Sequence, residues 1–338
     1  MRTTLNSTAQ AALYAYIAAT AQTYAAQPGQ MYSATPSIAQ TIYDLMVEEA
    51  DPFLSSIGIQ PVDDVQGEKV GMSVTSLVVS RTDTSGDGER SAKNFVDPLA
   101  KGYQLYTVDS DIGIPYSLLN SWSKFPDFQE RINRAIKKAL AMDLIRVGWH
   151  GTSAAATTNK STSPNGEDVN IGWLKQIKDY NSGSQYLAGT VNDPVELGGN
   201  DFPNLDSLVH DAVTRLAVYY QDSTELVALV SRDLVNASKG KYYADLGGSA
   251  VEKEKIGKVV QTYGGLACQT PPAFPSGKIL VTPLSNLAVY YQTSSWRRQQ
   301  IDEPKKNMLS DYNQRNEGYV VEDFKAASYI DNITIATA

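Results

Sequence analysis

Residues 67–95 read GEKVGMSVTSLVVSRTDTSGDGERSAKNF, and this stretch sets the architecture. Val70, Met72 and Val74 alternate with Gly71, Ser73 and Thr75, the two-residue period of a strand with one apolar face. The pattern then gives way to residues 81–90, RTDTSGDGER, which carry no apolar side chain. A second extended segment returns over 102–115. Together they predict a long hairpin, 66–116, with a soft polar tip. Two strands with one apolar face between them cannot make a core, so the hairpin has to lie on its own chain or on a neighbour.

Upstream, residues 1–26 read as an alanine-rich helix of weak amphipathy, alanine being the strongest helix former, and Gln27-Pro28-Gly29 breaks it. A second helix is expected over 37–49, with Pro36 tolerated near its start and Ile38, Ile42, Leu45 and Met46 as its stripe. Residues 1–65 therefore form an arm of short helices joined by breakers. A secretory signal is disfavoured: Arg2 is the only early cation, and Gln10, Thr20, Gln22 and Thr23 interrupt the apolar centre.

Downstream, the strongest helix pattern covers 127–149. Phe128, Ile132, Ile136, Leu140, Leu144 and Val147 recur at three- and four-residue spacing, and Asp127 and Gly151 suit the two ends. Such a spine is roughly 33 Å long. Its polar face is basic, carrying Arg131, Arg134, Lys137 and Lys138. Residues 152–166 read as a loop, 168–178 as a short helix and 181–203 as a polar, glycine-rich stretch. From 204 helix and strand alternate: helix 205–220, strand 226–230, helix 233–245, strands 259–262 and 278–282, a mixed lobe. The tail reads as strands at 287–291, 296–301, 319–324 and 327–335. The fold class is α+β.

The chain has 338 residues, 42% of them hydrophobic and 20% charged, which suits two compact lobes or one with long extensions. The formal net charge is -8, the wrong sign for a protein that grips nucleic acid tightly. Cys268 is the only cysteine, so there is no internal disulfide and no thiolate cluster. No apolar run approaches the roughly 20 residues of a membrane helix. Twenty tyrosines suit a protein whose work is contact, and suit an ordinary tyrosine-rich core as well.

No phosphate-binding loop, zinc helix or nucleophile elbow is present, and no cofactor is implied. Asp109 and Asp111 could pair on one strand face, but two carboxylates rarely hold a metal alone. Ser207 and His210 share a helix face at i, i+3 without an oxyanion-hole motif. Cys268 beside Leu266 and Ala267 reads as a small core residue. The basic face of the spine helix, and the pairs Arg297-Arg298 and Lys305-Lys306, are either solvated or paired faces, or meet DNA or acidic neighbours.

The order of these parts resembles the HK97-like fold of tailed-phage coat proteins: arm, extended hairpin, spine helix, α/β lobe and C-terminal strands. Local sequence resembles the major capsid proteins of the peduovirus group. The matching motifs are Gly67-Glu-Lys-Val-Gly71, Arg81-Thr-Asp-Thr-Ser-Gly through Glu89-Arg90 to Asn94-Phe95, Asp127-Phe-Gln-Glu-Arg-Ile-Asn-Arg-Ala-Ile136, Arg297-Arg298 and Tyr319-Val-Val-Glu-Asp323, with further matches at 169–174, 205–212 and 284–291. Their order across roughly 32–335 is what makes the match specific.

The resemblance implies a self-assembling virion subunit, not an enzyme, made in the host bacterial cytoplasm and built into pentamers and hexamers around double-stranded DNA. It implies an extended loop at 66–116, with Gly67, Lys69, Arg81, Asp83, Glu89, Arg90 and Phe95 as assembly contacts. A peripheral lobe would cover 117–203 and an axial lobe 204–286, with 287–338 returning as strands to both. Residues 1–31 would be trimmed or meet the scaffold, with Gln27, Met31, Tyr32 and Ser33 as the processing region. Partners would be a scaffolding protein, a maturation protease, a portal at one vertex and DNA held non-specifically, with no membrane. Some relatives cross-link hairpin lysines to asparagines, but Lys93 and Asn94 make no sequence case for such a bond. The rival readings are a tail or baseplate component and a hydrolase using Ser207 and His210.

Overall fold

The computed structural model describes residues 4–24, 26–49, 52–69, 73–74, 79, 81–83, 85, 89–90, 96–97, 102–123, 125, 127–180, 185–190, 193–199, 201–246 and 262–336. The arm holds α1 (Ser7–Thr23), the short strand β1 (Tyr32–Ser33), α2 (Pro36–Glu49) and α3 (Pro52–Ser56). Asn6 starts α1 by accepting the Ala9 amide at 2.7 Å. On α2 the buried side chains are Ala39, Tyr43 and Met46, with Ile38, Ile42 and Leu45 half-buried beside them.

After β2 (Gly58–Val62) come four hairpin strands, β3 (Gln66–Glu68), β4 (Ser73–Val74), β5 (Val96–Asp97) and β6 (Gly102–Gln104). β3 pairs antiparallel with β6 and β4 with β5. The remainder of the strand expected around 70–75 lies outside the described residues. The returning leg continues as β7 (Tyr106–Asp109) and β8 (Ile112–Pro115). Those two strands lie on a sheet of the same chain, not on a free hairpin.

Two helices follow, α4 (Tyr116–Trp122) and the spine α5 (Phe128–His150), then α6 (Trp173–Asp179), β9 (Tyr186–Ala188) and β10 (Val195–Leu197). α6 starts later than its sequence pattern because the backbone before it is pressed into α5. A Cβ on Gly172 would lie 2.4 Å from the Gly148 carbonyl oxygen, and one on Gly151 would lie 2.3 Å from that of Asn170. Gly148 in turn seats the Trp173 ring, which a Cβ would meet at 2.3 Å. Trp173 is fully buried, donates to the Ala288 carbonyl at 2.9 Å, and packs on Trp149 and Tyr319.

The lobe beyond residue 204 contains α7 (Leu205–Thr214), α8 (Val218–Gln221), β11 (Leu226–Val230), α9 (Arg232–Leu246), β12 (Thr262–Tyr263), β13 (Leu266–Gln269) and β14 (Ile279–Pro283). The single helix expected over 205–220 is two, because the Ala217 amide donates to the Lys325 carbonyl and leaves the helical ladder. The chain ends with β15 (Leu287–Gln292), β16 (Arg297–Glu303), the long β17 (Met308–Val321), β18 (Ser328–Asp331) and β19 (Ile333–Ile335).

Two main sheets result. One has the order β1-β16-β17-β15-β2, with β7 and β8 also on β17; the other has the order β12-β13-β11-β14-β18-β9. β17 is flanked on both sides: Met308 opposes both Glu303 and Pro115, and Glu317 opposes both Tyr291 and Tyr106. In the second sheet alternate residues feed different cores. Leu229 and Leu280 face the core built on α2, α5 and β15, whereas Ala228, Val230, Ile279 and Val281 face the core under α7. Burial on both faces explains why β11 and the Ile279–Val281 part of β14 read as apolar runs.

Asp331 ties this sheet to α6. Lys278 Nζ lies 2.8 Å from Asp331 Oδ1 and Lys178 Nζ lies 3.4 Å from Oδ2. Burial raises the Asp331 pKa, but the two lysines and the Asn332 amide outweigh it and hold the carboxyl below its ordinary value of 3.8. A carboxyl depressed in the folded state stabilises fully above the unfolded value and loses that contribution as pH falls through the folded one. Asp331→Asn is therefore expected to lower the urea midpoint at pH 6, and the gap to the parent should close towards pH 3; a gap that stays constant contradicts this. Gly148→Ala is expected to cost about 2–3 kcal/mol by overpacking Trp173, read from denaturant unfolding, and an unchanged midpoint would contradict the close α5–α6 contact.

Candidate functional site

The hairpin base is fixed to its own chain. Tyr103 lies flat on Gly67, where a Cβ would come within 2.7 Å of its ring. Its other edge meets Tyr290 at 5.2 Å between centroids, and Tyr290 donates to Glu322 Oε1 at 2.7 Å. Lys69 Nζ donates to the Val321 carbonyl and sits 5.9 Å from the centre of the Phe324 ring. A cleft of about 220 Å³ lies under this base, between Lys69, Tyr103 and Tyr106 on one side and Gln176 and Tyr319 on the other.

At the tip, Arg81, Asp83, Glu89 and Arg90 are exposed. Asp83 accepts from the Ser85 hydroxyl and amide, which hold its carboxyl below the usual range. Val79 is 78% exposed. Phe95, Lys93 and Asn94 lie outside the described residues.

Along the spine helix, Arg131 pairs with Asp127 at 2.6 Å and stacks over Phe125. Arg134 and Lys138 are exposed, and Lys137 is half-buried. Arg297 is exposed, but Arg298 is not on a basic face at all. It makes a bidentate pair with Asp311, Nε–Oδ1 2.9 Å and Nη2–Oδ2 2.5 Å, inside the protein. Neighbours in a strand point to opposite faces, so Arg297 and Arg298 cannot act together. Lys306 is spent on Glu303 at 2.8 Å.

Arg298 belongs to a buried polar row that the sequence reading missed. Asp311, Asn313, Arg315 and Glu317 all point inward from β17. Asp311 also accepts from Gln300 at 3.1 Å and Asn313 at 3.0 Å. Arg315 pairs with Glu317 at 2.6 Å and donates to Ser110 at 2.8 Å, while Tyr43 of α2 donates to Glu317. Residues 311–317, DYNQRNE, are polar at every position but Tyr312, so no two-residue period marks which face turns inward.

In the processing region, Gln27 and Met31 are exposed, Met31 by 60%. Tyr32 and Ser33 are paired to Arg298 and Arg297 as β1 on β16. The rival chemistry does not gather. Ser207 closes the capping box of α7, its hydroxyl donating to the Asn204 carbonyl at 2.7 Å, while His210 is exposed and Ser207 does not bond to it. Asp109 accepts from Gln314, and Asp111 lies in the two-residue gap between β7 and β8, accepting the Asn313 amide. Among the described residues no group of three or more His, Cys, Asp or Glu side chains gathers to hold a metal. Burial pushes the Cys268 thiol up to about 11, away from nucleophilic use.

The model of the phage major capsid protein, P2 family, matches residues 12–333. The chain belongs to that family. It is thus a structural subunit of the virion, a major capsid protein that builds an icosahedral phage head with a mixed α+β, HK97-like fold. It is 33% identical over 316 residues to the capsid proteins of Escherichia phage P2, covering 90% of this chain and 87% of the relative. It is 27% identical to the major capsid protein of Serratia phage KSP20, over 95% of each. The solved satellite phage P4 procapsid including size determination (Sid) protein superposes with a TM-score of 0.79 at 29% identity, over 98% of this chain and 99% of that one. Membership of a structural family sets aside the hydrolase reading of Ser207 and His210.

For this capsid protein the buried pairs and the surface pairs separate cleanly. Removing one partner of a buried pair costs about 3–5 kcal/mol, whereas an exposed pair contributes under about 1 kcal/mol. Arg298→Met is expected to lose at least about 3 kcal/mol in urea unfolding, and Lys306→Met to stay near the parent; equal effects would contradict the burial of Arg298.

Proposed function

We propose that copies of this subunit associate as pentamers and hexamers, and that the hairpin within 66–116 is the strap that binds each copy to the next. The observation that carries this reading is an exposed tip without a core. Among the described residues β4 and β5 pair with each other alone, Val79 stands 78% exposed, and Arg81, Asp83, Glu89 and Arg90 offer both signs of charge to solvent. Burying such a tip on another copy satisfies it, and mixed charge fixes register and partner choice better than raw affinity. Gly67 and Lys69 act differently from the tip: they hold the base rigid, so that the strap leaves the subunit at a set angle.

The finer division follows the same logic. Residues 117–203 with the spine helix make a peripheral lobe, 204–286 an axial lobe around the symmetry centres, and 287–338 bind the two together. Residues 1–65 are the arm, and the exposed bend at Gln27 to Met31 is where a maturation protease would reach it, with Tyr32 and Ser33 staying in the sheet. Arg131, Arg134, Lys137, Lys138 and Arg297 face DNA or neighbouring copies. The net charge of -8 suits DNA held by enclosure and not by tight binding. Further partners are a scaffolding protein and a portal at one vertex. That the similar P4 procapsid includes a size determination protein supports a shell that accepts auxiliary components during assembly.

The test is negative-stain microscopy of the chain co-expressed with its scaffolding protein, beside a variant in which residues 81–90 are replaced by a Gly-Ser linker of equal length. The parent is expected to give closed isometric shells. The variant should fold with the same thermal midpoint and give none. Shells from the variant, or tubes and free monomers from the parent, would overturn the reading.

A further inference from the structure

The N-terminal helix is held differently from everything else in the subunit. α1 places Leu13, Tyr16 and Ile17 against Ile114, Leu119 and Leu309, a cluster separate from the two main cores. No charged residue occurs between positions 3 and 43, so no ion pair fastens α1 to the groove. Its polar contacts are neutral or one-sided. Tyr16 donates to Asn133 Oδ1 at 3.0 Å, and Tyr24 accepts from Arg298 Nη1 at 3.4 Å with its ring 5.9 Å from the guanidinium. Tyr24 also packs against Tyr32, ring centroids 4.7 Å apart and tilted by 35°. The Tyr32 hydroxyl is buried with no protein partner. Behind α1, residues 27–31 are exposed throughout, and Gly29 takes φ +80°, a conformation that favours glycine. β1 is then pinned by its pairing with β16.

We propose that α1 is a detachable cover that opens as a unit about the 27–31 link, unmasking an apolar groove between α4, β8 and β17 and the edge of the Arg298–Asp311 pair. Opening forfeits the burial of Ala9, Leu13, Tyr16, Ile17 and Ala21. It also returns the Tyr32 hydroxyl and the spare donors of Arg298 to water, which offsets part of that loss. Alanine-rich α1 keeps its helical preference when free. This inference concerns the isolated subunit and stands or falls independently of the strap reading.

Amide hydrogen exchange on the full chain tests it. The amides of α1 are expected to exchange through a common opening, about tenfold or more faster than those of β11 and β14, while the ladder-bonded amides of β8 and β17 stay protected. Leu13→Asp should deprotect α1 further and raise binding of an apolar dye to the uncovered groove, with β8, β17, β11 and β14 unchanged. Exchange of α1 at the rate of β11 and β14 would overturn the proposal. So would rapid exchange of α1 with no gain in dye binding by the variant, or a Leu13→Asp variant that loses protection everywhere.

Discussion

β17 carries its charges inward, and most of the first sheet is arranged to make that tolerable. An unpaired charge in the interior is too costly to keep, so each one has a mate within the same sheet. Arg315 and Glu317 are two residues apart on one strand and therefore share a face. Asp311 reaches diagonally across the ladder to Arg298, which stands opposite Asn313. A slip of β16 by one residue would send Arg298 to solvent and leave Asp311 buried alone. The pairs therefore specify register more than they add stability, a use of buried polar groups that is well attested elsewhere. Tyr43 extends the same logic to α2, because its hydroxyl has to find Glu317 for the helix to settle.

The junction of α5 and α6 supplies a second constraint of another kind. Three glycines remove the side chains that would keep the two backbones apart, and Trp173 fills the space so created. Its indole nitrogen reaches the Ala288 carbonyl of β15, linking helix pair and sheet through a single side chain. Aromatic packing around it from Phe53, Trp149 and Tyr319 carries the arm, the spine and β17 into one core. The base of the hairpin thus rests, through Lys69 and Tyr103, on one tightly packed body.

Sequence periodicity was a good guide wherever inward meant apolar. The spine helix occupies 128–150 where 127–149 was expected, β11 covers the expected residues, and β14 and β15 fall within one residue of theirs. It failed where tertiary contacts overrode local preference. β17 was legible only from residue 319, because its first half buries Asp311, Asn313, Arg315 and Glu317. The break after α7 is made by the carbonyl of Lys325, far away in sequence, and no local signal at 215–217 announces it. β9, β10 and β13 are short strands in polar or glycine-rich stretches, recruited by the edges they pair with. Among the candidate contacts, strand alternation alone would have separated Arg297 from Arg298, whereas the anchoring of Lys69 on Val321 and Phe324 needed the fold.

The pairing of β17 on both sides has a mechanical meaning. Antiparallel hydrogen bonds lie across the strands, so tension along β17 strains all of them at once instead of opening them one after another. β8 and β7 grip one edge and β16 and β15 the other, and the strand cannot be peeled from either flank. A container pressurised from within stretches its wall tangentially. If β17 runs in the plane of that wall, stretching meets the sheet along its strongest direction.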